Sequence, residues 1–246
     1  MEFLTIVLIL AFDTSAFAGS VAVLDGPQTL AEVTLDAARR SAQTLAPAIA
    51  ELLKSRGIAP ADIKLVATTI GPGSFTGLRV GITTAKAFAY AVEAEVIGVS
   101  TLEAIAGRIP AATVAGHSRG IHAVLDAQRK ELFVGRFRAE ATVAVSPDVL
   151  GGLVYPRVAA DIIMSEEAWL ASLPPDAIVT GTGLARLLPR LPATVTVAPR
   201  ELWEPRAADV GKVALAYHAC GQRDDLWKLA PVYLRPSYAE EAKASR

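Results

Sequence analysis

The sequence predicts an α/β protein built from two similar halves, and three observations support this class. Hydrophobic periodicity alternates between two residues, typical of strands, and about 3.6 residues, typical of helices. Landmarks recur at a nearly constant separation, because Asp126 follows Asp13 by 113 residues and Gly181 follows Gly71 by 110. Apolar residues make up 52% of the 246 positions and charged residues 20%, which excludes a disordered chain.

The first half is predicted to begin with three strands and to continue with alternating helices and strands. The strands of this meander cover residues 6–12, 20–24 and 29–35, and Asp25-Gly26 is a typical hairpin turn. A first helix then buries one apolar face and ends at Gly57. The face is formed by Leu45, Ile49, Leu52 and Leu53. Two further strands, 64–70 and 96–99, each lead into a helix.

The second half is predicted to repeat this order. Its meander comprises Ile121 to Asp126, Glu131 to Phe137 and Thr142 to Val145. Its remaining elements are a helix at 166–173, a strand at 177–180, a short helix at 184–188, an extended segment at 194–197 and a helix at 209–220. A polar connector near residues 110–119 separates the halves, so we expect subdomains at 1–113 and 114–246.

The apolar N-terminus resembles a secretory leader, but its charges favour a buried first strand. No Lys or Arg precedes Arg39, and Asp13 interrupts the segment before the small residues that follow. The longest apolar run, Ile6 to Phe12, is far shorter than the roughly 18 residues of a membrane span. We therefore expect a cytoplasmic protein without a membrane segment.

Composition also limits the chemistry of the chain. The net charge of −1 lacks the basic excess of a nucleic-acid-binding domain. One cysteine, Cys220, excludes an intramolecular disulfide and a cysteine zinc site. The three histidines, His117, His122 and His218, include no pair at one-turn spacing, so no metal site is predicted.

The stretch Gly71 to Gly77 joins a predicted strand to a predicted helix. Backbone N–H groups of Gly71, Gly73 and Ser74 would converge there on one point, a geometry suited to an anion. The stretch matches neither the Walker nor the dinucleotide pattern, and a tight turn without a ligand is an equally good interpretation.

A second polar group follows the first strand, where Asp13, Thr14 and Ser15 offer a carboxylate and two hydroxyls toward a cleft. Taken alone, these three residues are more typical of an Asx-type turn between strands.

The helix after the glycine stretch carries a strip of small residues spaced by four. Its members are Gly77, Gly81, Ala85 and Ala89. Such a strip lets another helix approach closely, and an interior glycine costs about 1 kcal/mol relative to alanine, so a close contact should offset it. The contact is either the chain's own first helix or a partner, and the two are compatible.

Two halves of this kind resemble the actin and sugar-kinase superfold, the actin-like ATPase (ASKHA, ribonuclease H-like) fold. The resemblance implies two duplicated subdomains facing each other across a cleft, each with a phosphate-facing hairpin. The second hairpin departs from this pattern. After Asp126 come Ala127, Gln128, Arg129 and Lys130, whose long side chains obstruct a close approach of phosphate to the backbone.

Five strings together closely resemble the TsaB (YeaZ) family of bacterial proteins of tRNA threonylcarbamoyladenosine biosynthesis. The strings are Leu10 to Ser15, Gly71 to Gly81, Gly98 to Leu102, Leu125 to Glu131 and Pro231 to Arg235. The family often has His-Ser at the start of the first long helix, where this chain has Arg40-Ser41, which puts any contact of that histidine in doubt.

This resemblance implies a non-catalytic scaffold that forms a heterodimer with TsaD, activates it through the small-residue strip, and joins TsaE in a larger complex. It implies tRNA contact indirectly through TsaD, a homodimer when TsaD is absent, and no intrinsic cofactor beyond ATP or ADP at the partner interface. The alternative is an ATP-dependent small-molecule kinase of the same superfold, which needs an intact ATP cleft.

Overall fold

The fold consists of two five-stranded sheets, seen in a computed structural model that describes residues 7–38, 41–114, 119–139 and 154–235. The strands of the first sheet are β1 Leu8–Asp13, β2 Ser20–Asp25, β3 Gln28–Thr34, β4 Leu65–Gly71 and β5 Glu95–Ser100. Those of the second are β6 Ile121–Asp126, β7 Glu131–Phe137, β8 Ile162–Ser165, β9 Ile178–Thr180 and β10 Thr196–Val197.

The two sheets have the same strand order and directions, which confirms the predicted duplication. The first runs β3-β2-β1-β4-β5 and the second β8-β7-β6-β9-β10. In each, the first three strands of the chain pair antiparallel and the last two add in parallel. The equivalent glycines also share a backbone conformation, since φ is +126° at Gly71 and +106° at Gly181.

Two long helices lie side by side on one face of the first sheet. The helices are α1 Ser41–Ser55, α2 Phe75–Val92, α3 Thr101–Ala106, α4 Ala111–Val114, α5 Glu166–Ser172 and α6 Ala207–Ala219. Leu45 and Ile49 of α1 join Ile82 and Ala85 of α2 in one core with the apolar side chains of the sheet. This packing leaves the opposite sides of α1 and α2 outward. Gly57, with φ of +65°, ends the first helical segment as predicted.

Two helices are exchanged between the halves. Leu102 and Ile105 of α3 pack in the core of the second sheet. Conversely, α6 packs on the first sheet beside Ile9, and the Ala207 N–H donates a hydrogen bond to Ser20 Oγ at 2.8 Å. The expected division at 113/114 follows the sequence repeat, whereas helix α6 packs on the first sheet.

Two details differ from the expectations for the second half. The strand predicted at 142–145 lies outside the described residues, and the described third strand is Ile162–Ser165. The helix expected at 184–188 is a 3-10 helix over Thr182–Arg186, because the segment is only one tight turn long. Across the described ranges, no helix combines the length and apolarity that crossing a membrane requires.

Candidate functional site: a cleft and a two-helix face

A cleft of about 1040 Å³ lies between the two halves, as the actin-like arrangement implies. One wall contains Ser15, Gly73 and Ser74, and the other contains Asp126 and Thr182. The structure thus brings both predicted hairpins to the same space. Of the first-half residues expected to face phosphate, three line the cleft, and Asp13, Thr14 and Gly71 do not.

Asp13 is fully buried and holds the end of β1. Its Oδ1 accepts hydrogen bonds from the Ser15 backbone N–H at 3.0 Å, Ser15 Oγ at 2.6 Å and Thr69 Oγ1 at 2.8 Å. Its Oδ2 is buried without a partner among the described residues. Burial raises the pKa of the Asp13 carboxyl, and its hydrogen bonds offset only part of that effect. The geometry is the Asx-type turn that the residue types alone favour.

We expect Asp13→Asn to raise the free energy of unfolding relative to the wild type, by an amount that grows as the pH rises. A raised folded-state pKa means that the contribution of this carboxyl is fully present below its ordinary value of 3.8 and is lost as the pH rises through the folded pKa. Asparagine does not ionise, and its amide oxygen can still accept from Ser15. Urea unfolding between about pH 4 and pH 8 measures the difference from the wild type. A difference that stays constant or shrinks with pH contradicts this assignment.

Other segments of the chain pack closely against the glycine stretch. A Cβ on Gly71 would lie 2.7 Å from the Val232 carbonyl oxygen, and one on Gly73 would lie 2.6 Å from the Ser15 carbonyl oxygen. Ser74 caps α2 by accepting a hydrogen bond from the Gly77 N–H at 3.2 Å. These close approaches explain why glycine is needed there. Backbone carbonyls occupy the positions that side chains would take at Gly71 and Gly73, and phosphate binding at this stretch stays a prediction.

The small-residue strip packs inside the subunit. A Cβ on Gly77 would lie 1.9 Å from the Thr14 carbonyl oxygen, and one on Gly81 would lie 2.3 Å from Thr14 Oγ1. Ala85 and Ala89 are buried as well. This corrects the expectation that the four residues form the contact surface for a partner, because a partner cannot reach them in the folded chain.

The outward sides of α1 and α2 form a different surface, which we call the two-helix face. It consists of exposed, small and mostly uncharged residues, namely Ala42, Ala46 and Ala50 of α1 and Thr83 and Ala87 of α2. Small side chains at these spacings allow another pair of helices to approach closely. Helix α2 thus carries two rows of small residues: the predicted strip, which is buried, and Thr83 with Ala87 on the opposite, exposed side.

An exposed aromatic pair borders the two-helix face. Tyr90 at the end of α2 is 66% exposed and Trp227 is 72% exposed, and their rings meet edge to face at 5.6 Å. Lys86 Nζ donates to the Trp227 carbonyl oxygen at 3.0 Å, and the Trp227 N–H donates to Asp225 Oδ1 at 2.8 Å. The loop is therefore fixed while its largest side chain faces solvent. Our sequence reasoning missed this pair, although a tryptophan within the polar run 222–228 is a usable signal.

The second hairpin has an unusual backbone, and its aspartate is bound by an arginine. Gln128, Arg129 and Lys130 all have positive φ, between 51° and 62°, a conformation that is uncommon for residues other than glycine. Arg186 binds Asp126 with two hydrogen bonds, at 3.0 and 2.8 Å. The same guanidinium donates through Nε to the buried Glu166 at 2.6 Å. Asp126, the second-half equivalent of Asp13, is thus bound by Arg186, which the sequence analysis did not predict.

The two histidines that the structure describes do not come together. His122 is buried in β6, where burial lowers its pKa to about 4, whereas His218 on α6 contacts Glu95 at 2.6 Å. His117 lies outside the described residues. Within those residues, no three His, Cys, Asp or Glu side chains form a group suited to a metal ion.

The chain is similar to known proteins in both sequence and fold. Residues 33–153 match the family model described as TsaD, tRNA N6-adenosine threonylcarbamoyltransferase. The chain is 28% identical over 233 residues to the tRNA threonylcarbamoyladenosine biosynthesis protein TsaB of Escherichia coli, covering 94% of this chain and 96% of that protein. The solved structure of YeaZ from Pseudomonas aeruginosa superposes with a TM-score of 0.75 at 26% identity, over 93% of this chain and all of that chain.

Two further relatives carry the same TsaB name. The match to the Bacillus subtilis protein is 31% identical but spans only 53% of this chain and 55% of that relative. The match to the Haemophilus influenzae protein is 31% identical over 179 residues, 72% of each chain. On this identity and coverage, the chain belongs to the TsaB family, whose named members are tRNA threonylcarbamoyladenosine biosynthesis proteins.

Proposed function

We propose that the chain is a scaffold subunit of tRNA threonylcarbamoyladenosine biosynthesis that docks on the threonylcarbamoyltransferase TsaD through the two-helix face. The TsaB names of its relatives support the pathway. The single observation that supports docking is the two-helix face itself, a set of exposed small residues on α1 and α2. The match of residues 33–153 to the TsaD model includes both helices, so TsaD has a related segment with which they could pack pairwise.

The scaffold role is non-catalytic. Support comes from the glycine stretch, which holds Val232 and Ser15, and from the second hairpin, where Arg186 engages Asp126. Both features disfavour the alternative of an ATP-dependent small-molecule kinase, which needs two open phosphate hairpins. Binding of ATP or ADP at the joint with TsaD stays a prediction.

The remaining assignments follow from this role. We place the protein in the cytoplasm, where tRNA is modified, with TsaE in the larger complex and tRNA contacted through TsaD. A homodimer through the same two-helix face would form when TsaD is absent, since two copies present the same helices.

Isothermal titration calorimetry of the purified chain with TsaD from the same organism tests the proposal. We expect a stable one-to-one complex between these two subunits. Absence of binding at micromolar concentrations, with both proteins folded by circular dichroism, would reject the docking.

The aromatic pair should contribute to that affinity. We expect Trp227→Ala to weaken TsaD binding by roughly tenfold or more, because tryptophan is enriched among the few interface residues that dominate affinity, and a loss of about 1.4 kcal/mol corresponds to tenfold. Phe17→Ala is the matched control, since Phe17 is 88% exposed but lines the cleft instead. Calorimetric titration gives both affinities. Equal losses for the two variants would show that the pair has no special part in docking.

A further inference from the structure

The last described residues of the chain cross the cleft. We call residues 231–235 the strap. At its first contact, the Val232 N–H donates a hydrogen bond to the Ile70 carbonyl oxygen at 2.8 Å. The Val232 carbonyl oxygen lies in the space left by Gly71, where a Cβ would be 2.7 Å away. The strap therefore begins against the end of β4, on the first sheet.

The next residue, Tyr233, sits on the start of α2. Its ring stacks on Phe75 with centroids 5.1 Å apart, and its hydroxyl accepts a hydrogen bond from Arg79 Nε at 2.9 Å. The Arg79 guanidinium also lies 3.8 Å from the centre of the Phe75 ring. One arginine thus contacts both aromatic rings of this seat.

The final residue of the strap reaches the other half of the molecule. Arg235 forms an ion pair and hydrogen bond with Glu131, the first residue of β7 in the second sheet. The strap therefore joins the glycine stretch of the first half to the hairpin of the second. Val232, Tyr233, Leu234 and Arg235 all line the cleft.

We propose that the strap is a releasable latch that holds the cleft closed. Its contacts are of a kind that can break without unfolding either core: Tyr233 is 44% exposed and Phe75 is 47% exposed. A partly exposed ion pair and an exposed aromatic contact each contribute little stability on their own. The strap therefore stays in place only while both contacts are formed. Loss of either end frees the two sheets to separate about the connections formed by α3 and α6. The latch acts in the isolated chain and does not depend on TsaD.

Distance measurement between the halves tests the latch. Spin labels at Ala61→Cys, which follows α1 outside the two-helix face, and at Ala171→Cys on α5, in a Cys220→Ser background, report the separation by pulsed electron resonance; both sites are exposed, and Cys220 is the only cysteine. In the labelled parent we expect one narrow distribution. The double variant Tyr233→Ala with Arg235→Ala should shift it to longer distances and broaden it. Glu131→Gln, which weakens only the ion pair, should shift it less.

Trp227→Ala is the matched control, because it removes an exposed aromatic from the same segment outside the strap. Its distance distribution should superpose on that of the parent. Circular dichroism checks that each variant is folded, and if the double variant is not, Glu131→Gln alone decides. Superposed distributions for the parent and the folded strap variants would overturn the latch.

Discussion

The substitution Ala87→Arg is expected to weaken TsaD binding by about a hundredfold or more while leaving the chain folded. Ala87 lies near the middle of the two-helix face and is exposed, so arginine is accommodated in the free chain. In the complex the guanidinium would be buried without a partner, which costs about 3 kcal/mol, roughly a hundredfold in affinity. Calorimetric titration against TsaD measures the loss, and circular dichroism confirms the fold.

Ala171→Arg is the matched control for this substitution. Ala171 is also an exposed alanine on a helix, but α5 belongs to the second half, away from the two-helix face. Its affinity should equal that of the wild type. If Ala87→Arg binds as tightly as Ala171→Arg, the docking surface lies elsewhere on the molecule.

The substitution Gly77→Ala is expected to destabilise the chain by about 3 kcal/mol or more, although alanine is the better helix former by about 1 kcal/mol. The added Cβ would lie 1.9 Å from the Thr14 carbonyl oxygen. That contact has little room to relax, because Thr14 Oγ1 also donates to the Gly77 carbonyl oxygen at 2.8 Å. Urea unfolding at constant pH gives the free energy of unfolding.

Thr83→Ala provides the comparison on the same helix. Thr83 faces outward, so its truncation should change the free energy of unfolding by no more than about 0.5 kcal/mol. A Gly77→Ala protein that unfolds at the same or higher urea concentration than the wild type would show that helix propensity, rather than the contact with Thr14, governs this position.

Much of the fold was predictable because periodicity reports which residues are buried together. The strands β1, β2, β6 and β7 and the helices α1 and α2 fall where the patterns place them. The exchange of α3 and α6 was not predictable. The repeat suggests that α6 belongs to the second half, whereas the Ala207 N–H bonds to Ser20, 187 residues earlier. Local pattern carries no information about so distant a neighbour.

The candidate site was predictable only in part, for a related reason. The spacing of Gly77 and Gly81 indicates that something approaches closely, but it does not identify the neighbour, which is Thr14 of the same chain. Likewise, the sequence around Gly71 does not reveal that its close neighbour is the Val232 carbonyl oxygen. The Arg186 contact to Asp126 joins residues 60 positions apart and leaves no trace in the local sequence.

The most direct test of the scaffold account is threonylcarbamoyl transfer to tRNA in a reconstituted system, measured with TsaD and TsaE alone and after addition of this chain. We expect transfer to depend on the chain, to be lost with Ala87→Arg and to be retained with Ala171→Arg. Transfer at the same rate without the chain, or full rescue by Ala87→Arg, would contradict the account.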